Sequence, residues 1–222
     1  MDTKQRLRWA VRHNMLNTVK LILEKHPQLL KNVDPETGWS NLHHATDCGH
    51  YEVCVFLINE GHEAGAISLT HQKQTALHLA ARRNHEKTLH FLAQHLCAAT
   101  DWRDASCRTA LMVASTYGHH PCVTLLLDFG ADMDKGNHRN TRPIHEACAR
   151  GHVKVMRTLV DRDCDVTTPN LDGWTPSDFS LNVHVQNYFV SLAYDRLPKL
   201  AVNQLPITPT DQTFESPSTV LL

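Results

Sequence analysis

The sequence predicts an all-α solenoid, a stack of about six short helix-turn-helix units joined by finger loops. Three observations carry this. The stretch from Gly38 to Tyr51 returns at almost fixed spacing: at Gln74-Thr-Ala-Leu-His-Leu-Ala-Ala, at Arg108-Thr-Ala-Leu-Met-Val-Ala-Ser, at Arg142-Pro-Ile-His-Glu-Ala-Cys, and in degenerate form at Gly173-Trp-Thr-Pro-Ser-Asp. The anchoring apolar residues Leu42, Leu77, Leu111 and Ile144 are 35, 34 and 33 residues apart, a period that marks stacked arrays. Apolar stripes at helical spacing accompany the returns, and one unit cannot bury such a stripe alone, so its neighbours must cover it.

The first unit, about 4–36, places Leu7, Ala10 and Val11 in one helix and Val19, Ile22 and Leu23 in the next. It lacks the repeated motif and turns Gln5, Arg6 and Arg8 outward, as an N-terminal capping unit does. In the second unit, 37–70, Ser40 is the expected cap for a helix from Asn41 to Cys48, because its hydroxyl accepts from an orphan backbone N–H. Gly49 ends that helix, since glycine takes the left-handed cap conformation without a Cβ penalty. Tyr51 to Glu60 then carries Val53, Cys54, Phe56, Leu57 and Ile58 at helical spacing, and Gly61 closes it. The third, fourth and fifth units fall at 71–104, 105–137 and 138–170. Asn14 and Asn84 stand where glycine separates the helices of other units, a mild departure because Asn tolerates the left-handed region. The sixth, 171–194, is shorter and irregular, with Ser177-Asp178 in place of Leu-His, and reads as a C-terminal cap. Residues 195–222 hold four of the ten prolines and no helical or strand period, which reads as a flexible, disordered tail. Thr208-Pro209 and Ser216-Pro217 in it are minimal sites for proline-directed phosphorylation.

The 22 basic and 23 acidic residues nearly balance, so no global pull toward nucleic acid or a membrane surface is expected. Apolar runs fall far short of the roughly 20 residues of a membrane span. The first residues, Met1 to Arg8, lack an apolar secretory core. Seven cysteines, without a C-x-x-C pair, fit reduced and mostly buried thiols in a cytosolic or nuclear protein.

Seventeen histidines raise a metal site. His43, His78 and His145 recur at the start of first helices, and His50, His85, His119 and His152 follow the inter-helix glycine or its substitute, so seven are positional. His145-Glu146-Ala147-Cys148-Ala149 begins like H-E-x-x-H, but Ala149 sits where the second ligand belongs, and no tetrahedral set is expected. Neither a G-x-S-x-G elbow nor a phosphate-cradling G-x-x-x-x-G-K-[ST] loop occurs. Cys48, four residues after His44 on one helix face, is the sole thiol that suggests redox or nucleophilic chemistry, with a solvent-facing groove residue as the bland alternative. The expectation is therefore a non-enzyme without cofactor or metal.

The T-P-L-H-x-A-like motif followed by G-H resembles the ankyrin repeat. That resemblance implies a protein-binding surface. It gives the motif Thr and His a role in holding the turn before the first helix, with Met112 departing from the pattern. It also implies partner contacts at the groove end of the first helices and at the finger tips. The groove positions are Arg12 and His13, Asp47 and Cys48, Arg82 and Arg83, Thr116 and Tyr117, and Ala149 and Arg150. The finger and turn positions include Trp39, Arg108, His138, Arg139 and Trp174. From the third to the fifth unit, Arg82, Arg83, Arg108, Arg139 and Arg150 face no acid among those positions. Guanidinium forks there predict an acidic or phosphorylated protein segment as partner, with Asp101, Asp104, Asp132 and Asp134 nearby as charges that dilute the field. Tyr117 offers a flat anchor, and Trp39 and Trp174 either pack turns or present aromatic contacts.

A narrower resemblance rests on Asn32-Val-Asp-Pro-Glu-Thr-Gly-Trp-Ser-Asn-Leu-His-His-Ala, on Cys54-Val-Phe-Leu-Ile with Gly61-His62, and on His85-Glu-Lys-Thr-Leu-His. These are similar to the ankyrin-repeat accessory subunits of fungal TOR complex 2, over roughly residues 5–194. It implies a non-catalytic subunit, monomeric by itself, that binds TOR complex 2 subunits. Such a subunit would sit in the cytoplasm at the periphery of the plasma membrane and act in growth and membrane-stress signalling. A free cytosolic adaptor or inhibitor of another partner is the alternative.

Overall fold

The structure, a computed structural model, describes residues 2–194. Over these the chain is an all-α solenoid. Five helix pairs follow in series: α1 (Thr3–Arg12) and α2 (Leu16–Lys25), α3 (Asn41–Asp47) and α4 (Tyr51–Asn59), α5 (Ala76–Arg83) and α6 (Glu86–His95), α7 (Ala110–Tyr117) and α8 (His120–Asp128), α9 (Pro143–Arg150) and α10 (Val153–Asp161). A last helix, α11 (Val183–Tyr194), closes the stack. Short 3-10 turns follow α2 and α6. Among the described residues, strand-like pairing is limited to an isolated bridge between Val33 and Ser40. The tail with Thr208 and Ser216 lies outside the described residues.

First helices pack on first helices and second on second, so one core runs the length of the stack. Its spine is the predicted periodic set: Leu42, Leu77, Leu111 and Ile144 are fully buried, as is Leu7 one period earlier. Burying such a side chain contributes about 1.5–3 kcal/mol. No unit retains its spine residue without a neighbour to cover it, which makes the stack cooperative.

Local chemistry sets the helix ends. Ser40 and Thr109 hydroxyls accept from the His43 and Met112 N–H groups at 3.4 and 3.3 Å. Asn84, Gly118 and Gly151 end α5, α7 and α9 in the left-handed region, and Asn14 adopts it after α1 at φ 55°.

Four of the five fingers share one turn, and the first carries one extra residue in it. Its first residue donates its N–H to the carbonyl of Trp39, Gln74, Arg108, Thr141 or Trp174 at 2.8–3.0 Å, and the residue before that acceptor has positive φ: Gly38, Lys73, Cys107, Asn140 and Gly173. Backbone bonds from His71 N–H to the Thr37 carbonyl and from Ala105 N–H to the Gln72 carbonyl tie adjacent fingers. Cys107, at φ 59°, bears a left-handed cost of about 1–2 kcal/mol, while glycine would add about 0.5–1 kcal/mol of unfolded-state entropy. Cys107→Gly is therefore expected to stabilise the fold by about 0.5–1 kcal/mol in urea unfolding. A lower midpoint would contradict this reading of the turn.

Both end units depart from the repeat. Arg8 does not point simply outward: it stands one period before His43, and its Nη1 lies 3.0 Å from Asp34 Oδ1 in a partly buried pair. At the other end the sixth unit has a single helix. Residues 176–179 form a turn, before which the Asp178 carboxylate accepts from the Thr175 N–H at 2.8 Å and from its hydroxyl at 2.6 Å. Asp178 thus performs the turn-holding role of the repeated histidine. Leu181 donates its N–H to the Cys148 carbonyl at 3.1 Å, its side chain lies over Gly151, and Phe189 of α11 is 1% exposed.

Candidate partner-binding face

Two sets of histidines fix this face. His50, His85, His119 and His152 each reach back one unit with Nε2, to the carbonyls of Arg12, Asp47, Arg82 and Thr116 at 2.9–3.1 Å. Those carbonyls are among the orphans at the ends of α1, α3, α5 and α7. The ring therefore registers each unit on its predecessor at the end where the first helices open to solvent. The second set holds the turn before the helix. Nδ1 of His43, His78 and His145 accepts the N–H of Ser40, Thr75 and Arg142 at 3.1, 3.3 and 3.3 Å. Nε2 of His78 lies 2.9 Å from the Arg108 carbonyl. The rings of His43 and His145 face the Gln74 and Trp174 carbonyls but fall outside hydrogen-bond geometry. Burial pushes His43 and His145 down to about 4. His44 is likewise held at about 4, by burial and then by Arg12.

The register brings one exposed side chain per unit into a row: His13, Cys48, Arg83, Tyr117 and Arg150. Behind it lies a second row, Arg12, Asp47, Arg82, Thr116 and Ala149. Thr116 does not offer a free contact. It is buried, and its hydroxyl donates to the Met112 carbonyl at 2.8 Å.

The expectation that five arginines stand unopposed does not hold. Arg82 and Arg83 both grip Asp47, with Arg82 Nη2 and Arg83 Nε each 2.9 Å from Oδ1 and Arg83 Nη2 3.1 Å from Oδ2. Arg108 Nη2 meets Asp104 at 2.9 Å, Arg139 meets Asp172 at 3.4 Å, and Arg150 meets Glu146 at 3.7 Å. Every member of the predicted stripe has a carboxylate partner. Burial raises the Asp47 and Asp104 carboxyls, but hydrogen bonds outweigh it and hold both below the usual range: from Arg83 and Arg82 for Asp47, from the Arg108 backbone and side chain for Asp104.

The remaining positions divide. Trp39 is partly buried and tilts against the His44 ring, with centroids 5.2 Å apart, so it packs its turn. Trp174 is 55% exposed. His138 and Arg139 are exposed finger residues, with His138 Nδ1 3.4 Å from the Ser106 carbonyl. Cys48 is exposed, yet burial of its sulfur and the neighbouring Asp47 raise the thiol's pKa. This is the reverse of an activated nucleophile. Among the described residues no group of three His, Cys, Asp or Glu side chains converges as a metal-ligand set, and no helix is long and apolar enough to cross a membrane.

Comparison with known families places this architecture. The family model for ankyrin repeats in three copies matches residues 7–102 and 94–170. This chain belongs to the ankyrin-repeat family. Ankyrin repeats are protein–protein interaction modules, which implies protein partners for this chain. Among curated proteins the chain is similar to the target of rapamycin complex 2 subunit AVO2 of Saccharomyces cerevisiae, with 31% identity over 97% of this chain and 54% of that protein. It therefore spans little more than half of that relative. It is also 32% identical over 57% of its length to an ankyrin repeat and KH domain-containing protein, mask-1, of Caenorhabditis elegans, covering 5% of that protein. The tyrosine-protein kinase HTK16 of Hydra vulgaris is 28% identical over 92% of this chain and 22% of the kinase.

Within the ankyrin frame, two features of the face went unread in the sequence. Trp9, 47% exposed, stacks on His13 with centroids 4.3 Å apart. It stands one period before His44, in the unit whose motif is absent. Asp47 bridges two arginines from the next unit, a contact that becomes visible only when residues one period apart are set side by side.

Proposed function

We propose that this chain is a non-catalytic protein–protein interaction scaffold that serves as an accessory subunit of TOR complex 2 in growth and membrane-stress signalling. The observation that carries the proposal is likeness along nearly the whole chain, 97% of it, to a protein named as a TOR complex 2 subunit. The other relatives cited share smaller shares of the chain or lower identity, as generic ankyrin letters produce. In this reading the partners are TOR complex 2 subunits, the contacts fall on the exposed row with Trp174, His138 and Arg139 at the finger edge, and the chain reaches the plasma membrane through the complex from the cytoplasm. Arg82 and Arg108 serve mainly within the stack, because their guanidinium groups are committed to Asp47 and Asp104.

Sedimentation tests this. Lysate from the chain's own cells is run on a density gradient, and the chain is expected to travel with the TOR kinase in a megadalton fraction. A chain found only as a slow-sedimenting species would favour the free adaptor or inhibitor instead.

A further inference from the structure

We propose that the exposed helix ends of the first four units form a docking surface for an extended acidic peptide segment about eight residues long. The proposal rests on the reading of the chain as an interaction module, and it moves the binding charge away from the stripe the sequence suggested. Along the first helices, α1, α3 and α5 bring together three guanidinium groups, Arg12, Arg82 and Arg83, and one carboxylate, Asp47. Asp47 takes two of the three. Arg12 has no carboxylate within 4.0 Å among the described residues, although it lies close enough to Cys48 and His44 to act on both. Three positive charges against one leave a net +2 over this stretch. Elsewhere along the face the charges cancel in pairs, Arg108 with Asp104, Arg139 with Asp172 and Arg150 with Glu146. The positive field is therefore concentrated at the first three units of a chain whose formal net charge is −1.

Aromatic anchors bracket the charge. Trp9 lies at one end, 47% exposed and braced by His13, and Tyr117 at the other, 51% exposed and stacked on His119. Exposed Trp, Tyr and Arg are the side chains that dominate binding energy at protein interfaces. Neighbouring helices pack about 8–10 Å apart, so the three steps from α1 to α7 span roughly 27 Å, the reach of about eight extended residues at 3.3–3.6 Å each. Guanidinium forks match carboxylates in bidentate geometry. A lipid surface is less well served, because anionic membranes are held by clusters of about 4–8 unpaired basic residues, and this face holds a net two.

The test is a fluorescence anisotropy titration of the full chain with fluorescein-labelled octa-glutamate in about 50 mM salt, where exposed charges are weakly screened. Octa-lysine is the control peptide. Octa-glutamate is expected to bind and octa-lysine not to bind. Arg12→Glu is expected to weaken octa-glutamate binding about tenfold with little change in melting temperature, since Arg12 holds no carboxylate partner. Arg162→Glu, outside the row at an exposed pair with Asp128, is expected to change binding less than twofold. The proposal is overturned by absence of octa-glutamate binding, by equal losses in the two variants, or by binding to phosphatidylserine vesicles without binding to the peptide. Gradient sedimentation with the TOR kinase reads out separately, so loss of that assignment leaves the peptide result standing, and the reverse.

Discussion

Acidification from pH 7 to pH 5 is expected to remove about 6 kcal/mol of folding stability, a large share of the roughly 5–15 kcal/mol typical of a domain. The cause is three buried histidines, His43, His44 and His145, each lowered from 6.5 to about 4 in the fold. The geometry explains two of them independently. Nδ1 of His43 and of His145 accepts a backbone N–H, so a proton added there would meet the donor already in place. A histidine with a depressed folded pKa contributes stability fully present above its unfolded pKa and lost as pH falls toward the folded value. The window is therefore 6.5 down to about 4. At 1.36 kcal/mol per pH unit, each group costs about 2 kcal/mol by pH 5. The carboxylates of Asp34, Asp47 and Asp104, lowered from 3.8, contribute losses only below that window. Urea unfolding at pH 7, 6 and 5 measures the effect, and a midpoint that stays constant across that range would show that the rings charge without cost.

Gly118→Ala is expected to cost about 3 kcal/mol, against about 1 kcal/mol for Gly130→Ala. Both glycines have positive φ, 72° and 78°, so both variants bear the left-handed penalty of roughly 1–2 kcal/mol, offset in part by the alanine's smaller loss of entropy. They differ in what a methyl would meet. At Gly118 it would lie 2.5 Å from Nδ1 of His152, and at Gly130 nothing lies within 4 Å. The His152 ring cannot give way freely, because its Nε2 holds the Thr116 carbonyl at 3.1 Å, a bond whose loss in a buried setting costs about 1–3 kcal/mol. Denaturant melts of the two variants compare them directly. Equal losses would mean that the histidine ladder does not register the units.

The fold was legible because the same physics repeats. Leu42, Leu77, Leu111 and Ile144 mark one buried position in successive units, and period alone identifies them. The left-handed Asn14 and Asn84 followed from their place in that period. The loss of the sixth unit's first helix was legible only as irregularity, because Thr175-Pro-Ser-Asp keeps the motif's start while Asp178 closes a turn. The face was legible in position but not in charge. Arg82 and Asp47 are 35 residues apart, Arg139 and Asp172 33, and Arg162 and Asp128 34. In a stack, residues one period apart are neighbours, so an acid and an arginine at that spacing pair across units. Scanning groove positions within each unit separates those partners and makes committed arginines look free. Arg12 has no carboxylate within 4.0 Å among the described residues, because Asp47 one period on is gripped by the next unit's arginines.

The most direct measurement is affinity purification of the tagged chain from its own cells, followed by mass spectrometry of what it retains. Recovery of the TOR kinase with other complex 2 subunits is the expected result. Recovery of a different discrete partner, without the kinase, would contradict the TOR complex 2 assignment while leaving the ankyrin scaffold intact.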